Sequence, residues 1–312
     1  MRSSASAMPP PAAARMSTPP APLPLRAGVA PSSTWLADGA EARVLERLVA
    51  RFPAIARADW AARMARGEVV DRHGTPLGPD SVHHGGLRVY YYRELPPEAP
   101  IPGTVEVLYR DAHLLVVDKP HFLPVIPAGA YLHETLLVRL RQVPGLEHLA
   151  PLHRLDRDTA GLVLFSVNPA SRAAYSELFP QRRVHKVYEA LAPDRPGLAW
   201  PLLRRSRLAP GEPFFRMREV DGAPNAETLI TRLDGDGRLA RYRLEPHTGR
   251  KHQLRVHLAA LGIPIVNDRC YPELLPAAPD DPARPLKLLA RTLRFTDPLS
   301  GAPRRFDSHR SL

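Results

Sequence analysis

His153, Arg154, Asp156, Arg157, Asp158 and Thr159 crowd together immediately before the apolar run Leu162-Val163-Leu164-Phe165. Such a run suits a buried strand, so the polar residues ahead of it form a loop anchored on rigid structure, a common place for catalytic groups. Asp156 has Arg154 and Arg157 beside it, and neighbouring cations favour the charged form of a partly desolvated carboxylate. A charged, desolvated carboxylate is a usable nucleophile. The competing reading is a loop salt bridge in which Asp156 merely holds Arg157. Asp158 reads as solvated charge on an Arg-rich loop rather than as the second carboxylate of a glycosidase-type pair.

A second block, Thr248-Gly249-Arg250-Lys251-His252-Gln253-Leu254-Arg255-Val256-His257-Leu258, shifts the balance toward chemistry. Thr248 is placed to cap a helix whose apolar residues Leu254, Leu258 and Leu261 recur at helical spacing and which Gly262 stops. Arg250, Lys251 and His252 then fall in its first turn, where positive charge opposes the helix dipole unless an anion such as a phosphate sits opposite. Arg255, at the edge of the packed face, needs a carboxylate partner, and Asp156 is the candidate.

These residues carry a family resemblance. His153 to Leu164 resembles the HRLDxxTSGLLL signature of the RluA-type pseudouridine synthases, and Thr248 to Asp268 resembles their TGRxHQLRxHxxxxGxPIxGD segment. In the same order, Val105–Leu108 with His113–Pro120 is similar to the family's opening strands ending in NKP. Lys186-Val187-Tyr188-Glu189-Ala190 is similar to the KxYxA strand, and Leu289–Pro298 to the closing LHAxxLxFxHP strand. The resemblance covers roughly residues 104 to 300, and the ordered set of motifs makes it specific. The chain departs from the pattern at Ala160 (usually Ser), Asp118 (usually Asn), His121-Phe122 (usually Gly after the Pro) and Asn267 (usually Gly). None of these removes a residue used in the family's chemistry. The His121-Phe122 change bears on the pocket rim and hence on substrate choice.

The resemblance implies roles. Asp156 would attack a target uridine, at the anomeric carbon or at the uracil ring. Tyr188 would stack on the uracil and assist loss of the carbon-five proton. Arg255 would hold Asp156. Arg154 would fill the space left by a flipped nucleotide, and Lys186, Arg250, His252 and Gln253 would contact the RNA. Without the motif, Tyr188 would read as a core or cross-strand tyrosine. No cofactor and no metal is implied. His252 and His257 do not share a helix face, His83-His84 and Cys270 make no better site, and no CxxC or HExxH is present.

Composition fits an RNA partner. The 312 residues carry a net charge of +11, which favours approach to phosphates. Lys119, Lys186, Lys251 and Lys287 are the only lysines among 43 basic residues, and arginine suits bidentate phosphate contacts and base stacking. A GC-rich genome would also inflate Arg, Ala and Pro, so charge alone decides little.

The elements that must position these groups follow from patterning. Residues 1–34 are Pro-, Ala- and Ser-rich and acid-free, which predicts a disordered tail; their Pro density argues against the amphipathic helix of a mitochondrial transit peptide. Residues 35–95, with helices at Ala42–Val49 and Arg57–Arg66 and a turn-rich strand segment, resemble the small RNA-binding module named after ribosomal protein S-four. A simple helical cap is the alternative. Residues 96–103 read as a stiff Pro-rich linker.

Residues 104–312 would form the catalytic domain. Strands are expected near Val105–Tyr109, Leu114–Asp118, Leu162–Ser166, Val187–Leu191, Thr228–Leu233 and Arg241–Leu244, and helices near His133–Arg141, Pro169–Phe179 and Gly249–Leu261. Without strict βαβ alternation this predicts an α+β fold with a largely antiparallel sheet, and the resemblance implies a bent mixed sheet crossed by the catalytic cleft. The insert from Pro276 to Pro285 reads as a surface loop without chemistry. No stretch approaches the ~20 apolar residues of a membrane span. The expectation is a soluble, cytoplasmic, monomeric isomerase acting on large-subunit ribosomal RNA. A tRNA uridine, or a silent RNA-binding or ribosome-assembly role, is the alternative.

Overall fold

The computed structural model describes residues 21–39 and 41–312. The described residues divide into two units, one within residues 21–26 and 30–94, the other of residues 27–29 and 95–312.

In the first unit, β1 (Ser32–Leu36), α1 (Val44–Arg51), α2 (Arg57–Ala65), β2 (Val69–Val70) and β3 (Leu87–Tyr91) follow in order. They build a three-stranded antiparallel sheet, β1-β3-β2. Helix α1 buries Val44, Leu45 and Leu48, while Glu46 in its first turn and Arg51 in its last complement the helix dipole. Helix α2 adds Trp60 and Met64 one turn apart, and Trp60 meets Tyr91 edge-on at 5.0 Å. The expected tail is not irregular through residue 34. Ser32–Leu36 pairs along its length with β3, and Arg26 reaches Glu68 at 2.9 Å. Flanking Pro and Ala residues disguise a strand that the Tyr-rich partner β3 satisfies. The part of the tail on residues 1–20 lies outside the described residues.

The second unit contains β4 (Glu106–Arg110), β5 (Leu114–Lys119), α3 (Leu136–Arg141), β6 (Ala150–Pro151), β7 (Ala160–Ser166), α4 (Arg172–Glu177) and β8 (His185–Pro193). It continues with β9 (Leu202–Pro210), β10 (Met217–Val220), β11 (Ala226–Gly235), β12 (Leu239–Pro246), α5 (Gln253–Ala260), β13 (Leu288–Thr296) and β14 (Pro303–Asp307). The strands form one sheet in the order β10-β9-β11-β12-β8-β13-β7-β5-β4, with β14 on β13 and β6 on β7. Every pairing is antiparallel except β13 with β7. The fold is the expected mixed α+β type.

Strands β5 and β7 are buried on both faces, which explains their unbroken apolar sequence. Leu115, Val117, Val163 and Phe165 point into one cluster, and Leu114, Val116, Leu162 and Leu164 into the other. A third cluster sets α5, through Leu254 and Leu258, against Ala190, Ala192, Tyr242 and Leu244 of β8 and β12. The Pro-rich segment 96–103 is docked rather than spanning free. The Glu98 carboxylate accepts the backbone N–H groups of Leu132, His133 and Glu134, each at 2.9 Å, and Ile101 is buried. Among the described residues no helix is long and apolar enough to cross a membrane.

Candidate active site

The loop that bears Asp156 is fixed at both ends. Leu152 and Leu164 pair through the backbone, and half-buried His153 accepts the Leu164 N–H at Nε2 (3.0 Å) while stacking on Phe179. Burial lowers the His153 pKa to about 3, with the charge of Lys186 adding to the effect, so the imidazole is a neutral acceptor. At the far end Gly161 takes φ +111°, and a Cβ there would lie 2.3 Å from the Ala290 carbonyl oxygen of β13. Only glycine permits this approach, and it occurs where β7 and β13 meet in parallel. Between the ends, the fully buried Lys119 ammonium donates to the carbonyls of Pro120, Leu123 and Arg157 at 2.8, 2.8 and 3.0 Å. Burial brings the Lys119 pKa down to about 7, against the opposing pull of Asp158 and Asp156. Lys119 thus ties the residue after Asp156 to the end of β5.

The Asp156 carboxylate, 27% exposed, opens onto a cleft of about 980 Å³. It accepts no hydrogen bond from any described residue. Its nearest nitrogen-bearing neighbours are Arg255 Nη1 at 3.6 Å and His252 Nε2 at 4.0 Å. Arg157, adjacent in sequence, does not serve it: that guanidinium pairs with Asp158 and Asp280, bonds Tyr131 and lies over the Tyr131 ring. The loop salt bridge of Asp156 with Arg157 is therefore absent. The insert at Pro276–Pro285, read from sequence as without chemistry, supplies Asp280 to the residue following Asp156. Arg269 holds that insert through the carbonyls of Pro276, Ala278 and Pro279.

Arg255 makes the expected ion pair with Asp156, at 3.6 Å, but hydrogen-bonds to a different acid. It is buried, and its Nε and Nη2 donate to Asp268 at 2.8 and 2.7 Å, leaving Asp156 beyond hydrogen-bond distance of Nη1. Helix α5 starts at Gln253, later than expected. Thr248 does not cap it; the Thr248 hydroxyl accepts the Glu227 N–H and donates to the Gln253 side-chain oxygen. His252 sits at the N-cap in a left-handed conformation (φ +54°), so Arg250 and Lys251 lie outside the helix as exposed rim residues. Gln253, expected to touch substrate, is buried with its amide committed to Thr248, Arg250 N, Glu227 O and Thr228. It braces the turn instead.

The remaining expected residues line the cleft with Asp156. Tyr188 is half-buried between two core clusters, and burial, reinforced by the Asp156 charge, raises its pKa. Lys186 donates to the Thr248 carbonyl at 3.3 Å, and burial lowers its pKa. Arg154 is exposed and has no partner among the described residues. Burial, partly offset by Asp156, lowers the His252 pKa, and its Nδ1 lies 2.9 Å from the Tyr271 hydroxyl. His257 is buried elsewhere, between Ser206 and Thr228. Asp268, Tyr271 and Lys119 had no role assigned from sequence. Asp268 lay within a recognised motif, and an acid in step with a buried arginine was the available signal. The arrangement presents an unencumbered carboxylate, an aromatic ring and a rim of cations in one open cleft, suited to nucleophilic attack on a flat, anion-bearing substrate.

Comparison with known proteins agrees with this chemistry. Residues 113–260 match the family described as RNA pseudouridylate synthase. The chain is 34% identical over 213 residues to the dual-specificity RNA pseudouridine synthase RluA of Salmonella typhimurium, covering 66% of this chain and 92% of that protein. It is 29% identical over 232 residues to an uncharacterized RNA pseudouridine synthase of Synechocystis sp., covering 69% and 74% respectively. It spans only about a third of the length of the human pseudouridylate synthase RPUSD2, which it also matches. Among solved structures, human RNA pseudouridylate synthase domain containing 1 superposes with a TM-score of 0.52 at 27% identity, over 67% of this chain and 85% of that one.

Proposed function

Because the chain belongs to the RluA-type family of RNA pseudouridine synthases, isomerases that act on uridine in RNA, we propose that Asp156 is its nucleophile and that its target is a uridine of large-subunit ribosomal RNA. The observation that carries the first part is the Asp156 carboxylate itself: it faces the cleft, accepts no hydrogen bond from a described residue, and has Arg255 and His252 nearby. A carboxylate kept as a mere structural acceptor would be hydrogen-bonded.

Asp156 attacks the anomeric carbon or the uracil ring, and the bond from the anomeric carbon to the ring nitrogen breaks. The uracil turns within the cleft, a bond forms from the anomeric carbon to carbon five, and the bond to Asp156 breaks, returning its electrons to the carboxylate. Carbon five loses its proton and the freed ring nitrogen gains one, so the product is an isomer of the reactant. The Tyr188 ring packs on the uracil and holds it through the turn, a contact worth about 1–3 kcal/mol by analogy with base–aromatic stacking. Its hydroxyl, kept protonated by burial, stands near the departing proton. Arg255 orients Asp156 from a fixed position on Asp268. Arg154 occupies the gap left by the flipped nucleotide, a step that costs a few kcal/mol unless the base is already unstacked. Lys186, Arg250 and His252 meet phosphates, and Gln253 supports the turn that carries Arg250 and His252.

The small first unit, as an added RNA-binding module in a cytoplasmic, monomeric protein, supports the ribosomal target. The 33% identity over 186 residues to the mitochondrial tRNA pseudouridine(32) synthase of Saccharomyces cerevisiae favours a tRNA uridine as the second reading. Pseudouridine mapping of total ribosomal and transfer RNA, in cells lacking the gene and then restored with wild type or Asp156→Asn, tests both parts. A site lost on deletion and regained only with wild type establishes nucleophile and target together. A site regained with Asp156→Asn removes Asp156 from the mechanism.

A further inference from the structure

The turn between β9 and β10, residues Gly211–Arg216, carries an aromatic pair that the chemistry above does not use. Phe214 is 87% exposed, the most open of the large apolar side chains described. Its ring meets Phe215 edge-on at 5.7 Å, and Phe215 lines the same cleft as Asp156. The turn is held rather than loose. Gly211 N–H donates to the Arg216 carbonyl, and Arg216 N–H to that of Pro213. The Arg216 guanidinium donates to the Pro272 carbonyl (2.8 Å), and Met217 N–H donates to the Tyr271 hydroxyl (2.7 Å), which also faces His252.

An aromatic ring held in water on a braced turn is unfavourable unless something covers it. Its surroundings say what. Phe215 borders a cleft rimmed by Arg182, Arg250 and Lys251, and a π-face beside a cationic rim is the chemistry that grips single-stranded nucleic acid. A duplex keeps its base faces stacked and offers none to a side chain, whereas an unpaired segment does.

We propose that Phe214 is a stacking platform for an unpaired base flanking the target uridine, so that the substrate is a loop or splayed strand and not a continuous helix. This rests on the RNA reading of the cleft and adds to it a specificity residue outside the catalytic machinery. Because Phe214 packs on a base and touches no reacting atom, its loss acts on affinity rather than on turnover.

The test uses the full chain, as wild type, Phe214→Ala and Phe214→Tyr, with a stem–loop RNA whose unpaired loop contains uridines and a fluorescent aminopurine placed in turn at each loop position. Wild type and Phe214→Tyr should quench the aminopurine at one position, and Phe214→Ala should lose that quenching and bind about tenfold more weakly. The slope of affinity against salt should be unchanged, because no phosphate contact is removed. Equal affinity and equal quenching for wild type and Phe214→Ala would overturn the assignment while leaving the RNA cleft intact, and would leave the aromatic tip for a protein partner. No binding by wild type to this RNA or to its fully paired counterpart would instead defeat the RNA reading on which the assignment rests.

Discussion

Arg255 gives two of its nitrogens to Asp268 and turns the third toward Asp156 at 3.6 Å. Both members of the Arg255–Asp268 pair are almost fully buried, with side-chain exposures of 3% and 0%. Asp268 also accepts the Cys270 and Tyr271 N–H groups, so it fixes the backbone that carries Tyr271. Removing one partner of such a pair leaves a buried charge without compensation, at a cost of about 3–5 kcal/mol. Asp268→Ala should therefore lower the unfolding free energy by that amount and reduce turnover, although Asp268 never touches substrate. Denaturant unfolding measures the first effect, and a loss below about 1 kcal/mol would contradict the buried-pair account.

Asp156→Asn should behave in the opposite way. The carboxylate has no hydrogen bond to lose, and Arg255 keeps Asp268. Stability should change by less than about 1 kcal/mol, while turnover falls by more than about a thousandfold, as for loss of a covalent nucleophile. Single-turnover assays beside a thermal melt separate the two quantities. Substantial residual turnover in a well-folded variant would require another nucleophile.

The contrast between these two aspartates marks what could be read from sequence. Asp156, Tyr188 and Arg255 stand in ordered motifs, and the fold brings them to one cleft. The ion pair of Arg255 with Asp156 was legible, but its hydrogen-bonding partner Asp268 was not, because pairing inside a core depends on how α5 meets the segment after it. The start of α5 was misjudged for a related reason: Thr248 has a better partner across the sheet at Glu227, and tertiary bonding outranks local capping preference. Strands β9 and β10 were not anticipated at all. In Leu202–Pro210 exposed Leu203, Arg205 and Arg207 alternate with half-buried Leu202, Arg204 and Ser206, so polar residues fall on both faces, and Pro201 and Pro210 give the signal of a loop. Strand β7, apolar on both faces, left no such ambiguity.

Half-buried His153 and buried His257 set an acid limit on stability. Burial lowers His153 to about 3 and His257 to about 4, from an ordinary value near 6.5. Between pH 6.5 and 4 the unfolded chain binds protons that the native state excludes, so stability falls as pH falls. Above pH 7 neither histidine contributes, and below about pH 3 the loss saturates. Each should cost about 2 kcal/mol by pH 5. His257→Gln keeps hydrogen-bonding capacity toward Ser206 and Thr228 and does not titrate, so its melting temperature should decline less steeply between pH 6.5 and 5. An identical decline in wild type and variant would show that His257 is not held neutral by its burial.

Arg250 tests the electrostatic side of recognition. It is exposed on the cleft rim, donates Nε to the Asn225 carbonyl at 3.2 Å and has no acidic partner among the described residues, which leaves its charge free for a phosphate. Each phosphate neutralised by a cation releases counterions, so losing one contact should reduce the slope of log affinity against log salt by about 0.7–0.9. Arg250→Ala should weaken binding to cognate and unrelated RNA alike at low salt and converge on wild type as salt rises. Titrations over a salt series give the slope directly, and an Arg250→Lys control should recover most of it, since a point charge suffices for a phosphate contact. A variant with the wild-type slope but altered preference among RNA sequences would place Arg250 against a base rather than the backbone.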